Sequence, residues 1–442
     1  MQFTSHSGVR KYASNTLWLL IENILRIISG LLVGIWVTRY LGPEKYGVIS
    51  YIIAFVTIFG TLAKVGLDSI IVRNILNFPE KRAQYLGTSF WLKMAGSLLT
   101  IATVSVAVYM SSIPNFVRYY VILISSGLIF QSFEVIDFYY QSQVKSKYVS
   151  ICKIIQLSIT SLLKLYLIYI HADLALFIWV YLVEQIILGL MLHITYTLQK
   201  HASFYSKFDM DIAKSLLIES WPVVLVGIAI TLQSKIDQLI IGSKLGVQNL
   251  GYFALAVGFI EILSFVPIAM NSSISPAIIN AKKRSVTEYK NRLQNYYSVM
   301  FFLSLLVGLP IFIFGKYITV FLYGADFAPA GTLFSFLALR VFFANMGVAR
   351  YQFIVNEKLF KFNLVNTFFG ALVSVLVNIY LIPIYGAVGA IIASYCSFFV
   401  STFLIDSIYK KTRSNVVSML KGMFKFYTIF WIGNLYKSSK ID

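Results

Sequence analysis

Long apolar runs set the limits on what this chain can fold into. About 20 residues of α-helix, rising 1.5 Å each, cross a hydrocarbon core roughly 30 Å thick. Runs of that length recur from one end of the sequence to the other. Twelve spans are predicted, near residues 16–39, 46–68, 88–110, 118–140, 151–171, 173–198, 219–241, 251–275, 295–322, 331–352, 363–383 and 387–408. A membrane-crossing strand would instead read as about ten residues of alternating polarity. Composition agrees: 58% of the 442 residues are hydrophobic and 12% charged, where an ordinary soluble domain carries roughly a quarter charged. So much apolar surface cannot be hidden inside water-soluble cores. The expected fold class is therefore all-α integral membrane protein.

Orientation follows from the basic residues. Taking 1–15, 69–87, 141–153, 199–216, 276–293, 350–362 and 409–442 as one side gathers about 26 of the 37 Lys and Arg. The alternate loops hold Arg39, Lys45, Arg118, Lys244 and Lys316. Cytoplasmic loops are enriched in Lys and Arg, so both termini are expected in the cytoplasm. The net charge of +19 is mostly this topological signal, and it also suits contact with anionic membrane lipid. Nucleic acid is not an expected partner, because the cations are spread over seven loops. The first span is not read as a cleaved signal peptide: its apolar run is too long, contains Glu22 and Arg26, and has no small-residue cleavage site after it. Cys152 and Cys396 read as small apolar residues, and the four scattered histidines show no metal-ligand spacing.

The loops are short, so any work must be done by the helices or at their ends. The chain also looks duplicated. Leu41-Gly42 with Gly47 matches Leu245-Gly246 with Gly251 at an offset of 204 residues, and Phe55 and Ile58 match Phe259 and Ile262. Two pseudo-repeated six-helix lobes around a central cavity are expected, with a substrate site near the midplane where the repeats meet. The expected divisions are an N-terminal lobe over 1–198, a cytoplasmic linker over 199–218, a C-terminal lobe over 219–409 and a basic, aromatic tail over 410–442. Within that tail, 416–433 is too short to span comfortably and reads as an interfacial helix.

An ionisable side chain at mid-bilayer costs about 2.5–3.5 kcal/mol on insertion scales and usually faces the bundle interior or a wet cavity. The deepest are Arg26, Lys164, Glu184, Glu261 and Arg340, with Lys235 and Asp237 toward the outer end of the seventh span. Each either lines a cavity or pairs structurally. Guanidinium stays charged when buried and grips phosphate oxygens bidentately, so Arg26 and Arg340, one in each half, form a candidate anion site together with Lys235 and Lys164. Glu184, Glu261 and Asp237 are the candidates for ion coupling. Lys93, Asp137 and His193 lie close enough to the cytoplasmic face to snorkel, and Lys64 and Asp68, four apart, are placed to pair on one helix face. Gly30 and Gly34 favour close helix contact, and Pro267 and Pro310 predict kinks or hinges.

No GxxxxGK[ST], HExxH or GxSxG sequence is present. No catalytic group, metal or cofactor is expected.

Several segments carry a family resemblance. Thr38-Arg39-Tyr40-Leu41-Gly42-Pro43-Glu44-Lys45-Tyr46-Gly47, Val65-Gly66-Leu67-Asp68-Ser69 with Arg73, and Asp137-Phe138-Tyr139-Tyr140-Gln141-Ser142 with Lys145 and Lys147-Tyr148 are three of them. Asp237 ahead of Leu245-Gly246 and Gly251, Tyr323-Gly324, and Tyr385-Gly386-Ala387-Val388-Gly389-Ala390 complete the set. In order and spacing the chain resembles, over its whole length, the polysaccharide-transport flippases of the superfamily that also holds the multidrug exporters. The resemblance implies a V-shaped pair of lobes with alternating access. The cargo would be an undecaprenyl-diphosphate-linked oligosaccharide, typically an O-antigen repeat unit, moved to the periplasmic leaflet of a bacterial inner membrane. It also implies a cationic cavity lined by Arg26, and a polysaccharide polymerase and chain-length regulator as partners. Arg340 and Lys235 are assigned by depth alone. A multidrug-type exporter of cations would hold net carboxylate in its cavity, whereas the mid-depth set here leans basic. An O-antigen polymerase or ligase would carry a sizeable periplasmic loop, and none is predicted.

Overall fold

The computed structural model describes residues 6–111 and 113–425. All regular structure among them is helical. Hydrocarbon offers the backbone no water, so a spanning segment must bond its own N–H and C=O groups. The order is α1 (His6–Ala63), α2 (Asp68–Asn77), α3 (Arg82–Met110), α4 (Asn115–Ser126), a 3-10 stretch Gly127–Glu134, α5 (Val135–Ser142), α6 (Lys147–Tyr169) and α7 (Leu174–Leu198). There follow α8 (Met210–Leu245), α9 (Val247–Leu263), α10 (Phe265–Arg284), α11 (Val286–Tyr323), α12 (Ala328–Phe336) and α13 (Ala338–Asn356). The chain continues with α14 (Phe360–Tyr385), α15 (Ala387–Phe399), a π-helical turn Val400–Leu404, α16 (Ile405–Ile408) and α17 (Arg413–Phe424).

Among the described residues, ten stretches are long and apolar enough to cross a membrane. An eleventh is the pair Ala325–Phe336 and Ala338–Asn356, bent by 45°. One of the ten, Ala13–Asn77, is 65 residues long, far more than a single crossing requires. It breaks at Gly42, where φ is 71° and ψ 173°, and the first two predicted spans lie on either side. Gly246, between α8 and α9, has φ 88° and ψ 162°. This region of backbone space is essentially reserved for glycine. The two glycines paired by the sequence repeat thus make the same turn in both halves. The eighth predicted span is divided at Ser264, between α9 and α10. Pro267, near the start of α10, supplies no N–H to the preceding turn.

Contacts divide the chain into two units, Met1–Thr231 and Leu232–Asp442. In the first, α1 packs on α3, α4 and α6, and α6 on α7. Its core gathers Leu67, Ile71, Leu86, Ile136, Phe204 and Leu216. In the second, α11 packs on α12, α13 and α17, and α14 on α15. Its core includes Tyr297, Met300, Met346, Ile354 and Met419. The start of the predicted interfacial segment belongs to α17, which docks on α11. Tyr297 Oη donates to Asn415 Oδ1 at 2.7 Å and Ser298 Oγ to the Gly422 carbonyl at 2.6 Å. Residues 426–433 of that segment lie outside the described residues.

Two local expectations are overturned. Lys64 and Asp68 do not share a helix face, because the helix ends at Ala63 and the chain passes through left-handed Val65 (φ 53°) and Gly66 (φ 63°) before α2 starts at Asp68. A Cβ on Gly66 would lie 3.0 Å from the Ser220 carbonyl and 3.1 Å from Val223, so α8 presses directly on this break. Nor does Lys93 snorkel. It is fully buried and turns inward, with Nζ 2.9 Å from Glu134 Oε2, 3.7 Å from Asp68 Oδ1 and 4.9 Å from the Phe138 ring centre. Two carboxylates and an aromatic face compensate its burial better than the reach to a headgroup would. The other two residues expected to snorkel are also held by the protein: Asp137 pairs with Lys153 at 2.9 Å, and His193 Nδ1 bonds the Tyr205 hydroxyl.

Candidate functional site

In the first unit, charged and amide side chains within the spans surround a cavity of about 350 Å³. Its wall includes Lys64, Gln131, Tyr181, Glu184, Gln185 and Thr231. Close helix contact builds it. A Cβ at Gly127 would lie 2.8 Å from the Gln185 amide, and one at Gly189 would lie 3.0 Å from the Phe130 carbonyl. These two positions let α7 press onto the 3-10 stretch, which sets Gln131 and Gln185 side by side. Gln131 Nε2 donates to Gln185 Oε1 at 3.4 Å, while Gln131 Oε1 is buried without a partner. A second cavity of about 180 Å³ shares Gln131, Glu184 and Gln185 and reaches Glu134 and Gln156.

Lys164 and Glu184, proposed from sequence for cargo binding and for coupling, meet here. Lys164 Nζ donates to Glu184 Oε1 at 2.7 Å and lies 4.9 Å from the Tyr181 ring centre. Glu184 therefore enters the cavity already neutralised. Lys64 has no ion-pair partner among the described residues and faces the same space. The three charges leave one net positive, which favours an anion over a cation. Arg26 is placed differently. Its side chain is 62% exposed, donates to Asn23 Oδ1 and lies 3.9 Å from Glu22. Glu22 is itself buried and accepts from Ser150 Oγ at 3.4 Å. Arg26 thus rides on a carboxylate anchored within the unit and meets none of the other candidates.

The remaining candidates lie in the second unit. Lys235 Nζ bonds Glu261 Oε1 at 2.9 Å. Asp237 is buried and accepts the backbone N–H of Gln238 at 2.8 Å. Arg340 is buried, stacks 5.5 Å above the Phe398 ring and has one guanidinium nitrogen, Nη1, without a partner. Of these four, Lys235 and Glu261 are in direct contact.

Gln131, Gln185 and Tyr181 fall outside the Lys, Arg, Asp, Glu and His side chains that marked candidates in the sequence, and so were missed. Amides inside predicted apolar runs were the available signal. Also missed was a fully compensated pair. Arg350 Nε donates to Asp406 Oδ2 at 2.7 Å and Nη2 to Asp406 Oδ1 at 2.8 Å, while Nη1 donates to Asn363 Oδ1 at 3.0 Å. Among the described residues, no group of three or more His, Cys, Asp or Glu side chains is placed to hold a metal ion.

A family profile described as polysaccharide biosynthesis protein matches residues 12–282. No curated protein matches the chain. Solved structures do. One is an inward-facing multidrug resistance MATE family transporter of the MOP superfamily: TM-score 0.68, 15% identity, covering 92% of this chain and 99% of that one. Another is the lipid II flippase MurJ in an inward closed conformation: TM-score 0.67, 13% identity, covering 96% and 94%. A third is a MOP superfamily transporter from Pyrococcus furiosus, whose description notes a binding pocket of reversed polarity: TM-score 0.59, 15% identity, covering 95% and 96%. At these identities the likeness is one of fold.

Proposed function

The chain belongs to the polysaccharide biosynthesis protein family, and from that premise we propose that it translocates an undecaprenyl-diphosphate-linked oligosaccharide across a bacterial inner membrane. The cargo is an O-antigen repeat unit, moved from the cytoplasmic to the periplasmic leaflet by alternating access, with both termini in the cytoplasm. A polysaccharide polymerase and a chain-length regulator act downstream. One conjunction carries this reading: a polysaccharide-biosynthesis chain built throughout on a transporter fold. The lipid II flippase MurJ shares this fold, which supports a lipid-linked cargo here. The net positive cavity in the first unit, with Lys64 unpaired, supports an anionic one.

The membrane potential is the proposed drive. A diphosphate bridge carries about two negative charges, and each is worth about 2.3 kcal/mol across 100 mV, inside negative. Outward movement therefore gains roughly 4–5 kcal/mol, and the emptied cationic site is drawn back inward. Proteoliposome flipping that is unchanged when the potential is collapsed would exclude this drive. Coupling to a proton or sodium ion through Glu184, Glu261 or Asp237 is the second reading, favoured by the Glu184 carboxylate at the cavity wall. Removing the ion gradient at fixed voltage separates the two.

The function itself is tested in a strain lacking the gene. Lipid-linked repeat units should accumulate and surface glycan should vanish, with rescue by the intact gene and not by Arg26→Ala. A surface capped with single repeat units would mean that translocation survives, and would move the assignment to a polymerase.

A further inference from the structure

One end of the first unit carries a cluster of basic side chains that the transport reading does not use. They come from three connections: Arg82 at the start of α3, Lys145 in the turn between α5 and α6, and His201 in the link between α7 and α8. Tyrosines hold them. Arg82 lies 5.1 Å from the Tyr139 ring centre. The His201 ring lies 5.1 Å from that of Tyr139, 4.9 Å from Tyr196 and 6.1 Å from Tyr140. Tyr196 Oη donates to the Ala202 carbonyl at 3.2 Å and pins the link. The turn that presents Lys145 closes with its own N–H on the Tyr140 carbonyl at 2.9 Å, through Val144 at φ 54°. A β-branched residue pays strain there. Lys200, at φ 54°, makes the corresponding turn just before His201.

The cluster is cationic. Neither Arg82 nor Lys145 has a carboxylate partner among the described residues, and both are exposed. The Tyr140 hydroxyl is buried with no hydrogen-bond partner. Burial first, then the charges of Arg82 and Lys145, hold the His201 imidazole below its ordinary range. The groups around it are thus the two cations and the rings of Tyr139, Tyr140 and Tyr196. Its place at the ends of four successive spans is where headgroup phosphates lie and where tyrosine rings are enriched.

We propose that Arg82, Lys145 and His201 form a binding site for a phosphoryl group, presented by a lipid headgroup or free in solution. Guanidinium supplies parallel donors to two phosphate oxygens and the ammonium a point charge. His201 then gains a proton on binding, because an adjacent anion stabilises imidazolium and offsets the two cations. Affinity strengthens as pH falls through the imidazole range. None of these three residues lines the cavity that supports the flippase assignment, so the site stands or falls separately from it.

The test uses the full chain in a phosphate-free glycoside detergent. The imidazole titrations are followed by NMR, with His201 assigned through His201→Gln. The probes are inorganic phosphate, phosphatidic acid in mixed micelles, and chloride at matched ionic strength. The expected result is a His201 midpoint raised by about one pH unit by a phosphoryl probe, with His171 and His193 unmoved. In Arg82→Gln/Lys145→Gln the rise should be absent. That variant changes only exposed side chains, so the fold is retained. A response to phosphatidic acid alone assigns a lipid headgroup, and a response to inorganic phosphate assigns the phosphate group itself. A midpoint that neither probe moves beyond chloride overturns the proposal. So does a rise shared equally by all the histidines, or one that persists in the double variant.

Discussion

Two ion pairs, one from each unit, hold their charges in opposite ways. In the first, Lys164 and Glu184 form a single contact beside a cavity, each side chain about a fifth exposed (18% and 25%), with Lys64 unpaired nearby. In the second, Arg350 and Asp406 are 8% and 0% exposed and share two parallel hydrogen bonds, with Asn363 taking another guanidinium N–H. Asn366 adds a longer contact to Asp406 and donates to the Ser401 carbonyl at 2.6 Å. That carbonyl lies in the π-helical turn, a widening that frees backbone groups for such partners. The second arrangement satisfies the charge fully and leaves nothing for a ligand. The first leaves water-accessible charge that a ligand can engage. Pairing alone therefore does not separate structural from functional charge; the space left beside the pair does.

Breaking the closed pair should have the largest effect. Arg350→Met leaves Asp406 buried without its cation, a loss of about 3–5 kcal/mol, read as a steep fall in unfolding temperature in detergent. Arg350→Met/Asp406→Leu should recover most of it. Lys164→Met, beside the cavity, should cost no more than about 1 kcal/mol, because water reaches Glu184. Equal losses at Arg350 and Lys164 would erase the contrast between the two pairs. Gly66→Ala comes next, at about 1–3 kcal/mol, since its φ of 63° is joined by a Cβ position 3.0 Å from a carbonyl oxygen. Gly42→Ala and Gly246→Ala meet no atom within 4 Å. Their costs should be the backbone strain alone and equal to each other, as expected of positions repeated at the same conformation. Lys64→Gln should leave stability unchanged and weaken binding of a diphosphate-bearing lipid by about tenfold, the loss of one charge-assisted contact.

The helical, membrane-spanning character was legible because hydrocarbon imposes length and apolarity on every crossing. The repeat was legible through Gly42 and Gly246, since a backbone that only glycine adopts leaves a mark in the sequence. Partner choice was not. Lys64 and Asp68 stand four apart, yet two left-handed residues, one of them Val65, rotate them away from each other, and no sequence rule marks a valine at positive φ. Lys93 was placed near a headgroup by its position along the span. Its partners Glu134 and Asp68 come from two other segments of the chain, so only tertiary packing brings them together. Lys164 and Glu184 were found by depth, and their pairing at a cavity wall depended on how closely α7 approaches the 3-10 stretch. That approach rests on Gly127 and Gly189, whose role is to leave space.

The smallest expected effect concerns the link between α7 and α8, and it has a sign. An unfolded imidazole takes up its proton near pH 6.5. His201 in the fold does so at lower pH, through burial and then the charges of Arg82 and Lys145. Between those two values the unfolded chain binds more protons than the folded one, so stability rises with pH. The contribution is complete above the ordinary imidazole range and is lost as pH falls through it toward the folded value. Unfolding temperatures measured across that window should decline on acidification in the parent protein and decline less in His201→Gln. Arg82→Gln/Lys145→Gln should narrow the window by letting the folded imidazole titrate closer to its ordinary value. A parent and a His201→Gln variant with the same pH profile would mean that the link is not held by a neutral imidazole. The tyrosines around it would then be packing a side chain whose charge state makes no difference to the first unit.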